Sequence, residues 1–303
     1  MYELIIIGAG PAGITASIYA ARKRMNVLVI AKDIGGQAAL SSDVENYTGY
    51  QYITGAELTK KFEQHMREFQ VELKQEEVVG IEKADGGFRV TTDKGTYDSK
   101  TLIIASGAKP RKLNVPGEEK FKNRGVTYCA TCDAPLFSDR DVAVVGGGNS
   151  GLDATLQLIR IANRIYLIEA GPKLRGDEAM REKVERSEKV SIFTNTKVVE
   201  ILGDKFVTGV VVEWEGKRET LSVQGVFIEI GYVPSSDFAA GLVKLNERNE
   251  IIVDARCRTS VDGIFAAGDV TSVPQKQIIV AAGEGAKAAL SAYEYLQRYR
   301  EQV

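Results

Sequence analysis

The sequence predicts an α/β protein built from two dinucleotide-binding units of strand, helix and strand. Three observations carry that prediction. The chain has 303 residues, enough for two ordinary domains. An apolar strand near residue 4 runs into a glycine turn and then a helix. The same arrangement occurs a second time further along.

In the first copy, Leu4-Ile5-Ile6-Ile7 is the strand and Gly8-Ala9-Gly10-Pro11-Ala12-Gly13 the turn. A helical stretch from Ile14 to Arg24 follows, then the strand Val27-Leu28-Val29-Ile30. In the second copy, Val142-Ala143-Val144-Val145 runs into Gly146-Gly147-Gly148-Asn149-Ser150-Gly151, a helical stretch from Leu152 to Ala162, and the strand Ile165-Tyr166-Leu167-Ile168. The residue after each second strand lies at the same spacing beyond the third glycine: Ala31 after Gly13, and Glu169 after Gly151.

In such a turn the first glycine permits a tight bend. The second lets a pyrophosphate approach the backbone, and the third lets helix and strand pack closely. The helix start offers unpaired N–H groups and a positive dipole end to phosphates. One such turn can also be a plain glycine-rich connection. Two in matching context predict two bound dinucleotides. Gly8, Gly10, Pro11, Ala12 and Gly13 are the candidate contacts for one. Gly146, Gly148, Asn149, Ser150 and Gly151 are those for the other.

Just before the second copy lies Cys129-Ala130-Thr131-Cys132-Asp133. Two-residue spacing suits a disulfide, a thiolate pair or two packed core cysteines. Zinc needs four ligands, usually supplied as close pairs, and only Cys257 and His65 remain, each isolated. No metal site is expected. Two dinucleotide sites together with one such cysteine pair favour a redox reading: a nicotinamide gives a hydride, a flavin accepts it, and a disulfide takes up the electron pair. Asp133 is then a candidate proton source for the thiolates. Its plainer reading is a turn or helix-capping aspartate before Pro135.

Composition narrows the partners. A formal net charge of −2, with 44% hydrophobic and 26% charged residues, is an ordinary globular balance. It creates no global field toward nucleic acid or an anionic membrane, and neither is expected as a partner. No secretory leader pattern precedes the first strand, and no uncharged apolar run reaches the ~18 residues of a membrane span. A cytoplasmic location is expected. His65 is expected on a surface helix, Cys257 as a packed bystander on a strand from Ile251, and Glu284 to Arg300 as a core-packing helix.

Over essentially its whole length the chain resembles the low-molecular-weight thioredoxin reductases, FAD-dependent pyridine nucleotide-disulfide oxidoreductases. Its second half is similar to the reductase portion of the alkyl hydroperoxide reductase flavoprotein subunit. Besides the two glycine turns and the cysteine run, the resemblance is carried by Gly35-Gly36-Gln37, Glu45-Asn46, Ala105-Ser106-Gly107-Ala108, Gly268-Asp269 and Gln275-Lys276-Gln277-Ile278. It implies a homodimeric enzyme of two Rossmann-like domains (three-layer ββα), the second inserted in the first. Residues 1–114 plus 243–303 would bind FAD. Residues 115–242 would bind NAD(P)H and carry the redox cysteines. Gly36, Gln37, Asn46, Gly107, Gly268, Asp269, Lys276, Gln277 and Ile278 would contact FAD. Cys132 would face the flavin, and Cys129 would attack the disulfide of a thioredoxin or glutaredoxin-like protein.

Three departures qualify the match. Family members that use NADPH carry a basic His-Arg-Arg run where this chain has Glu169-Ala170-Gly171. A carboxylate there hydrogen-bonds a free ribose 2′-OH and repels a 2′-phosphate, so NADH is expected over NADPH. Arg175 leaves a weak route to NADPH. In the first copy Ala31 replaces the acid, leaving Lys32, Asp33 or backbone for the FAD ribose. The alkyl hydroperoxide flavoprotein also has an N-terminal thioredoxin-like region, whereas this sequence starts at the FAD fold, so a separate carrier protein is expected. Two other functions remain open: the NADH-dependent reductase component of a peroxidase system, and a non-catalytic flavin-binding redox sensor.

Overall fold

Strand β1 (Tyr2–Ala9) forms where apolar residues run without a polar break, as a strand covered on both faces requires. It turns into α1 (Pro11–Arg22), whose first residue is a proline, at a position that needs no N–H. β2 (Val27–Ile34) returns parallel to β1, with Leu4 opposite Val27. Helix α2 (Gly55–Glu68) opens on a capping box. Thr54 Oγ1 accepts from the Glu57 amide at 3.2 Å, and the Glu57 carboxylate accepts from the Thr54 amide at 3.3 Å. β3 (Glu72–Gln75), β4 (Val78–Ala84), β5 (Gly87–Thr92), β6 (Thr96–Ile104) and the short β7 (Ala108–Pro110) follow.

The next segment contains β8 (Val126–Thr127), α3 (Ala130–Asp133), β9 (Asp141–Val145), α4 (Asn149–Ile159), β10 (Arg164–Ile168), α5 (Glu178–Glu185) and β11 (Val190–Phe193). Then come β12 (Lys197–Gly203), β13 (Val207–Trp214), β14 (Lys217–Leu221) and β15 (Gly225–Ile228). The chain closes with β16 (Tyr232–Pro234), β17 (Ile264–Ala266) and α6 (Ile278–Glu301). This computed structural model describes residues 1–40, 44, 46–128 and 130–301, and their side chains except those of 40, 131, 132 and 299–301.

The chain divides into two compact units, Met1–Lys109 with Val233–Val303, and Pro110–Tyr232. The sequence expectation put the crossings at 114/115 and 242/243. Each crossing falls within a three-residue strand, β7 or β16, that ends in proline.

In the first unit the sheet order is β3-β2-β1-β6-β5-β4, with β17 also paired to β6. It is parallel from β3 to β6 and at β17, and antiparallel from β6 to β4. Alternate β1 residues serve two cores. Leu4 and Ile6 pack with the small residues of α1 and α6, including Ala16 and Ala289. Ile5 and Ile7 pack on the other face with Phe88 and Val90 of β5. The second unit repeats the plan on a parallel sheet, β11-β10-β9-β15-β8, with β12-β13-β14 antiparallel. Val142 and Val144 pack with Leu152 and Leu158 of α4, while Ala143 and Val145 pack with Val210 and Val212 of β13. Each unit is therefore helix, parallel sheet and further strands, the expected ββα layering.

One expectation needs correction and one needs extension. Ile251 to Cys257 is not a strand; only Ile251 makes isolated bridges. The Asp254 carboxylate accepts the amides of Arg256 (2.9 Å) and Arg258 (3.0 Å), which folds the segment into a turn with Cys257 at φ 62°. The closing helix extends further toward the N-terminus than the Glu284–Arg300 stretch, starting at Ile278, in the Lys276-Gln277-Ile278 segment that the resemblance puts at the opening of the last helix. Cys257 is fully buried and His65 is exposed on α2, as expected. Among the described residues no helix is long and apolar enough to cross a membrane.

Candidate active site

The two glycine turns share one geometry. Gly8 has φ 110°, and a Cβ there would lie 2.3 Å from Ala105 O. A Cβ at Gly13 would lie 1.8 Å from Gly8 O. In the second turn Gly146 has φ 123° and would meet Glu229 O at 2.3 Å, and Gly151 would meet Gly146 O at 1.8 Å. These four glycines are demanded by the protein's own backbone. The middle glycines are not. A Cβ on Gly10 or Gly148 would meet nothing within 4 Å. Each is the N-cap of its helix, extended at φ −80° or −88°, and neither helix has a side-chain cap. Each turn thus leaves a bare approach to helix-start amides, a cradle that a Cβ would fill and that suits a pyrophosphate.

The first unit gathers the other flavin candidates around its turn. Gly36, at φ 55°, has its Cβ direction 3.4 Å from Gly10 Cα. The Cβ direction of Gly268 lies 3.1 Å from Ala12 Cβ and 3.4 Å from Ala281 Cβ. Asn46 Nδ2 donates to Gln277 Oε1 at 3.1 Å. Gln37 is exposed on a 3-10 turn, Gly36–Leu40. Gly107 has φ 68° and open space around it. Burial pushes the Asp269 carboxyl above the usual range, and the nearby Lys276 ammonium opposes that push. Lys276 Nζ is itself held by Glu250 at 3.0 Å and by the carbonyls of Asp269 and Thr271. Ile278 begins α6. Of the candidates for the ribose, Lys32 is paired with Glu77 at 2.7 Å and Asp33 is exposed.

Glu169 follows β10 and turns back onto its glycine loop. It is 3% exposed. One carboxylate oxygen accepts from the Gly147 amide (2.7 Å), the other from the Gly171 amide (2.6 Å) and from Arg175 Nη2 (3.4 Å). This explains why the second turn has glycine at 147, where the first has Ala9. A Cβ at 147 would lie 2.8 Å from Glu169 Oε2. At the matching place, position 31 carries only a methyl group. Asn149 Oδ1 accepts from the Asp177 amide at 2.7 Å and ties the start of α4 to the loop before α5.

Cys129 lies outside the described residues, as do Glu45 and the Cys132 side chain. The backbone around them is well pinned. α3 carries Cys132 in its first turn. The Thr127 hydroxyl donates to the Asp133 carboxylate. Asp133 therefore does not cap the 3-10 turn Ala134–Phe137 with its side chain. Tyr128, next to Cys129, donates its hydroxyl to Glu118 Oε1 at 2.8 Å. Burial and that carboxylate push the Tyr128 phenol far up. Glu118 is buried and also accepts from the Leu113 (3.0 Å) and Asn114 (2.6 Å) amides. From the end of β15, Glu229 Oε1 accepts from the Ala130 amide at 3.2 Å. Sequence reasoning missed Glu118 and Glu229. An acid inside the apolar run Val226-Phe227-Ile228-Glu229-Ile230 is the signal that marks the second.

Comparison with known proteins places this geometry. The chain is 41% identical over 301 residues to an alkyl hydroperoxide reductase subunit of Staphylococcus aureus (strain MSSA476), covering 98% of this chain and 59% of the relative. It is 42% identical over 304 residues to the like-named protein of Xanthomonas campestris pv. phaseoli, covering 98% and 57%. The chain thus spans under two thirds of those relatives. Among solved structures, Lactococcus lactis thioredoxin reductase matches with a TM-score of 0.83 at 36% identity, covering 98% of this chain and 100% of that one. T. acidophilum thioredoxin reductase matches with a TM-score of 0.79 at 39% identity, covering 97% and 98%. Residues 2–285 match the pyridine nucleotide-disulphide oxidoreductase family, and the chain belongs to it, as an oxidoreductase.

Proposed function

We propose that the chain carries electron pairs from a reduced nicotinamide cofactor, through FAD, to the Cys129–Cys132 disulfide and on to a thioredoxin or glutaredoxin-like protein. One observation carries the reading: the same glycine cradle is built once in each unit, and the unit with the second cradle also holds the cysteine pair. FAD, when bound, supplies the hydride acceptor that a disulfide lacks. Gly8, Gly10, Pro11, Ala12, Gly13, Gly36, Gln37, Asn46, Gly268 and Asp269 would hold it in the first unit, with Gly107 and the Lys276-Gln277-Ile278 segment. Gly146, Gly148, Asn149, Ser150, Gly151 and Glu169 would hold the nicotinamide dinucleotide in the second. The net reaction is NADH, a proton and a protein disulfide giving NAD+ and a protein dithiol. Cys132 takes up the pair, Cys129 forms the mixed disulfide with the partner, and Asp133 returns a proton to the departing thiolate.

NADH is the favoured donor because Glu169 brings a carboxylate to the end of β10 beside the second turn. Steady-state kinetics check this: catalytic efficiency is expected to be higher with NADH than with NADPH, and the reverse order refutes the assignment. The decisive experiment on the whole reading is an anaerobic NADH titration of purified protein. Two electron pairs per flavin are expected; uptake of one pair means the cysteines are not coupled to the flavin. Ala replacement of Gly10 or Gly148 is expected to leave the melting temperature nearly unchanged. It should weaken binding of FAD or the nicotinamide cofactor, respectively, by about tenfold or more, because the methyl occupies the pyrophosphate approach. Equilibrium binding and calorimetry on the same samples separate the two effects.

The identity to the alkyl hydroperoxide reductase subunits supports a second reading, in which the electrons pass to a peroxidase system. Turnover with a thioredoxin compared against turnover with a peroxidase disulfide distinguishes the two. A purified protein that binds flavin but turns over neither would be a sensor. A homodimer and a cytoplasmic location complete the proposal.

A further inference from the structure

Glu229 lies between the two working parts of the second unit. Its main chain abuts the glycine turn: its carbonyl lies 2.3 Å from where a Gly146 Cβ would be, and its amide donates to Val145 O at 2.8 Å. Its side chain reaches the other way, and the carboxylate accepts from the Ala130 amide at 3.2 Å. In sequence that amide belongs to the residue directly after Cys129, at the start of the helix that carries Cys132. Neither the cysteine relay nor the nucleotide cradle described above uses this side chain.

We propose that Glu229 is a positioning residue of the cysteine turn, holding the Ala130 amide and setting by its charge how readily the thiols ionise. This rests on the redox reading of Cys129 and Cys132. The charged groups around the carboxylate favour a proton that exchanges near neutrality. Burial pushes it up to about 7, the Ala130 amide opposes that push, and the Asp153 carboxylate on α4 reinforces it. On α3 itself, the Asp133 carboxylate is engaged by Thr127. Well below that range Glu229 is neutral and adds no charge near the thiols. Well above it the carboxylate is an anion, which disfavours a second negative charge on sulfur and slows thiolate chemistry.

The test is thiol alkylation of the full chain, reduced with dithiothreitol and freed of it. Iodoacetamide labelling of Cys129 and Cys132 is followed by mass spectrometry from pH 5.5 to 8.5 in the wild type, Glu229→Gln and Glu229→Ala. Glutamine keeps an acceptor for Ala130 and removes the charge. The ratio of the E229Q labelling rate to the wild-type rate is expected to be near one at pH 5.5. It should rise through a midpoint near pH 7 to about threefold or more at pH 8.5. E229A should show the same rise and also lose NADH-linked turnover, because the amide loses its partner. A ratio that stays flat with pH overturns the proposal, and E229Q alone suffices if E229A does not fold. The pH step without any NADH-linked turnover would sink the redox reading and leave Glu229's role standing. Turnover with a flat ratio would do the opposite.

Discussion

Alanine in place of Gly285 is expected to lower the melting temperature of the Met1–Lys109 with Val233–Val303 unit by roughly 4–8 °C. Gly285 lies on α6 where it crosses α1, and a Cβ there would sit 2.0 Å from Ala12 O and 2.8 Å from Ala12 C. Those are backbone atoms at the start of α1, so no side-chain rotation relieves the overlap and the two helices must part. Overpacking of this kind costs about 3 kcal/mol. Against it stands the better helix propensity of alanine, about 1 kcal/mol. The clash wins by about 2 kcal/mol, and a unit of this size loses roughly 2–4 °C per kcal/mol. Gly283 supplies the control. It lies on the same helix with nothing within 4 Å of its Cβ direction, so Gly283→Ala is expected to be neutral or stabilising by up to about 1 kcal/mol. Scanning calorimetry of the two variants decides the matter. Equal melting temperatures would mean that α1 and α6 have slack to absorb a methyl group.

Serine at position 132 is expected to abolish NADH-linked reduction of a protein disulfide, by about 10³-fold or more, with flavin content and fold retained. A hydroxyl cannot take up an electron pair by disulfide cleavage, and its ionisation lies far above that of a thiol. In the anaerobic titration the variant should take up one electron pair per flavin instead of two. Cys257→Ser is the matched control. That thiol is fully buried, and burial pushes it up to about 11, so it carries no thiolate at neutral pH. Turnover retained in the Cys132 variant, or lost in the Cys257 variant, would reassign the redox centre.

Much of this architecture was legible in the sequence, because local pattern and tertiary demand agree there. Both strand-turn-helix units appear where apolar runs meet spaced glycines, and the structure adds why four of those glycines are obligatory and two are not. The helical pattern alone starts α6 too late, for a physical reason. Gly283 and Gly285 weaken the helical pattern, yet Gly285 is where α1 comes too close for any side chain. The segment from Ile251 to Cys257 reads as a strand, but Asp254 captures two downstream amides and bends it. The contact that Glu229 makes could not be read from its local sequence. Glu229 and Ala130 lie 99 residues apart in sequence, and only the folded sheet brings one to the other. Glu169 was legible as an acid at a familiar spacing. Its grip on the amides of Gly147 and Gly171 was not.

That grip constrains how such chains can diverge. Glu169 and Gly147 form an epistatic pair, matched by Ala31 and Ala9 in the other half of the duplication. An alanine introduced at 147 would arrive against the Glu169 carboxylate. That contact sets an order at this loop. A lineage abandoning the acid, as in a change of nucleotide preference, must lose the acid before the loop can close to alanine. Removing the carboxylate alone does not free position 147, because Leu174 Cδ2 still lies 2.8 Å from where its Cβ would be, and that side chain must shift as well.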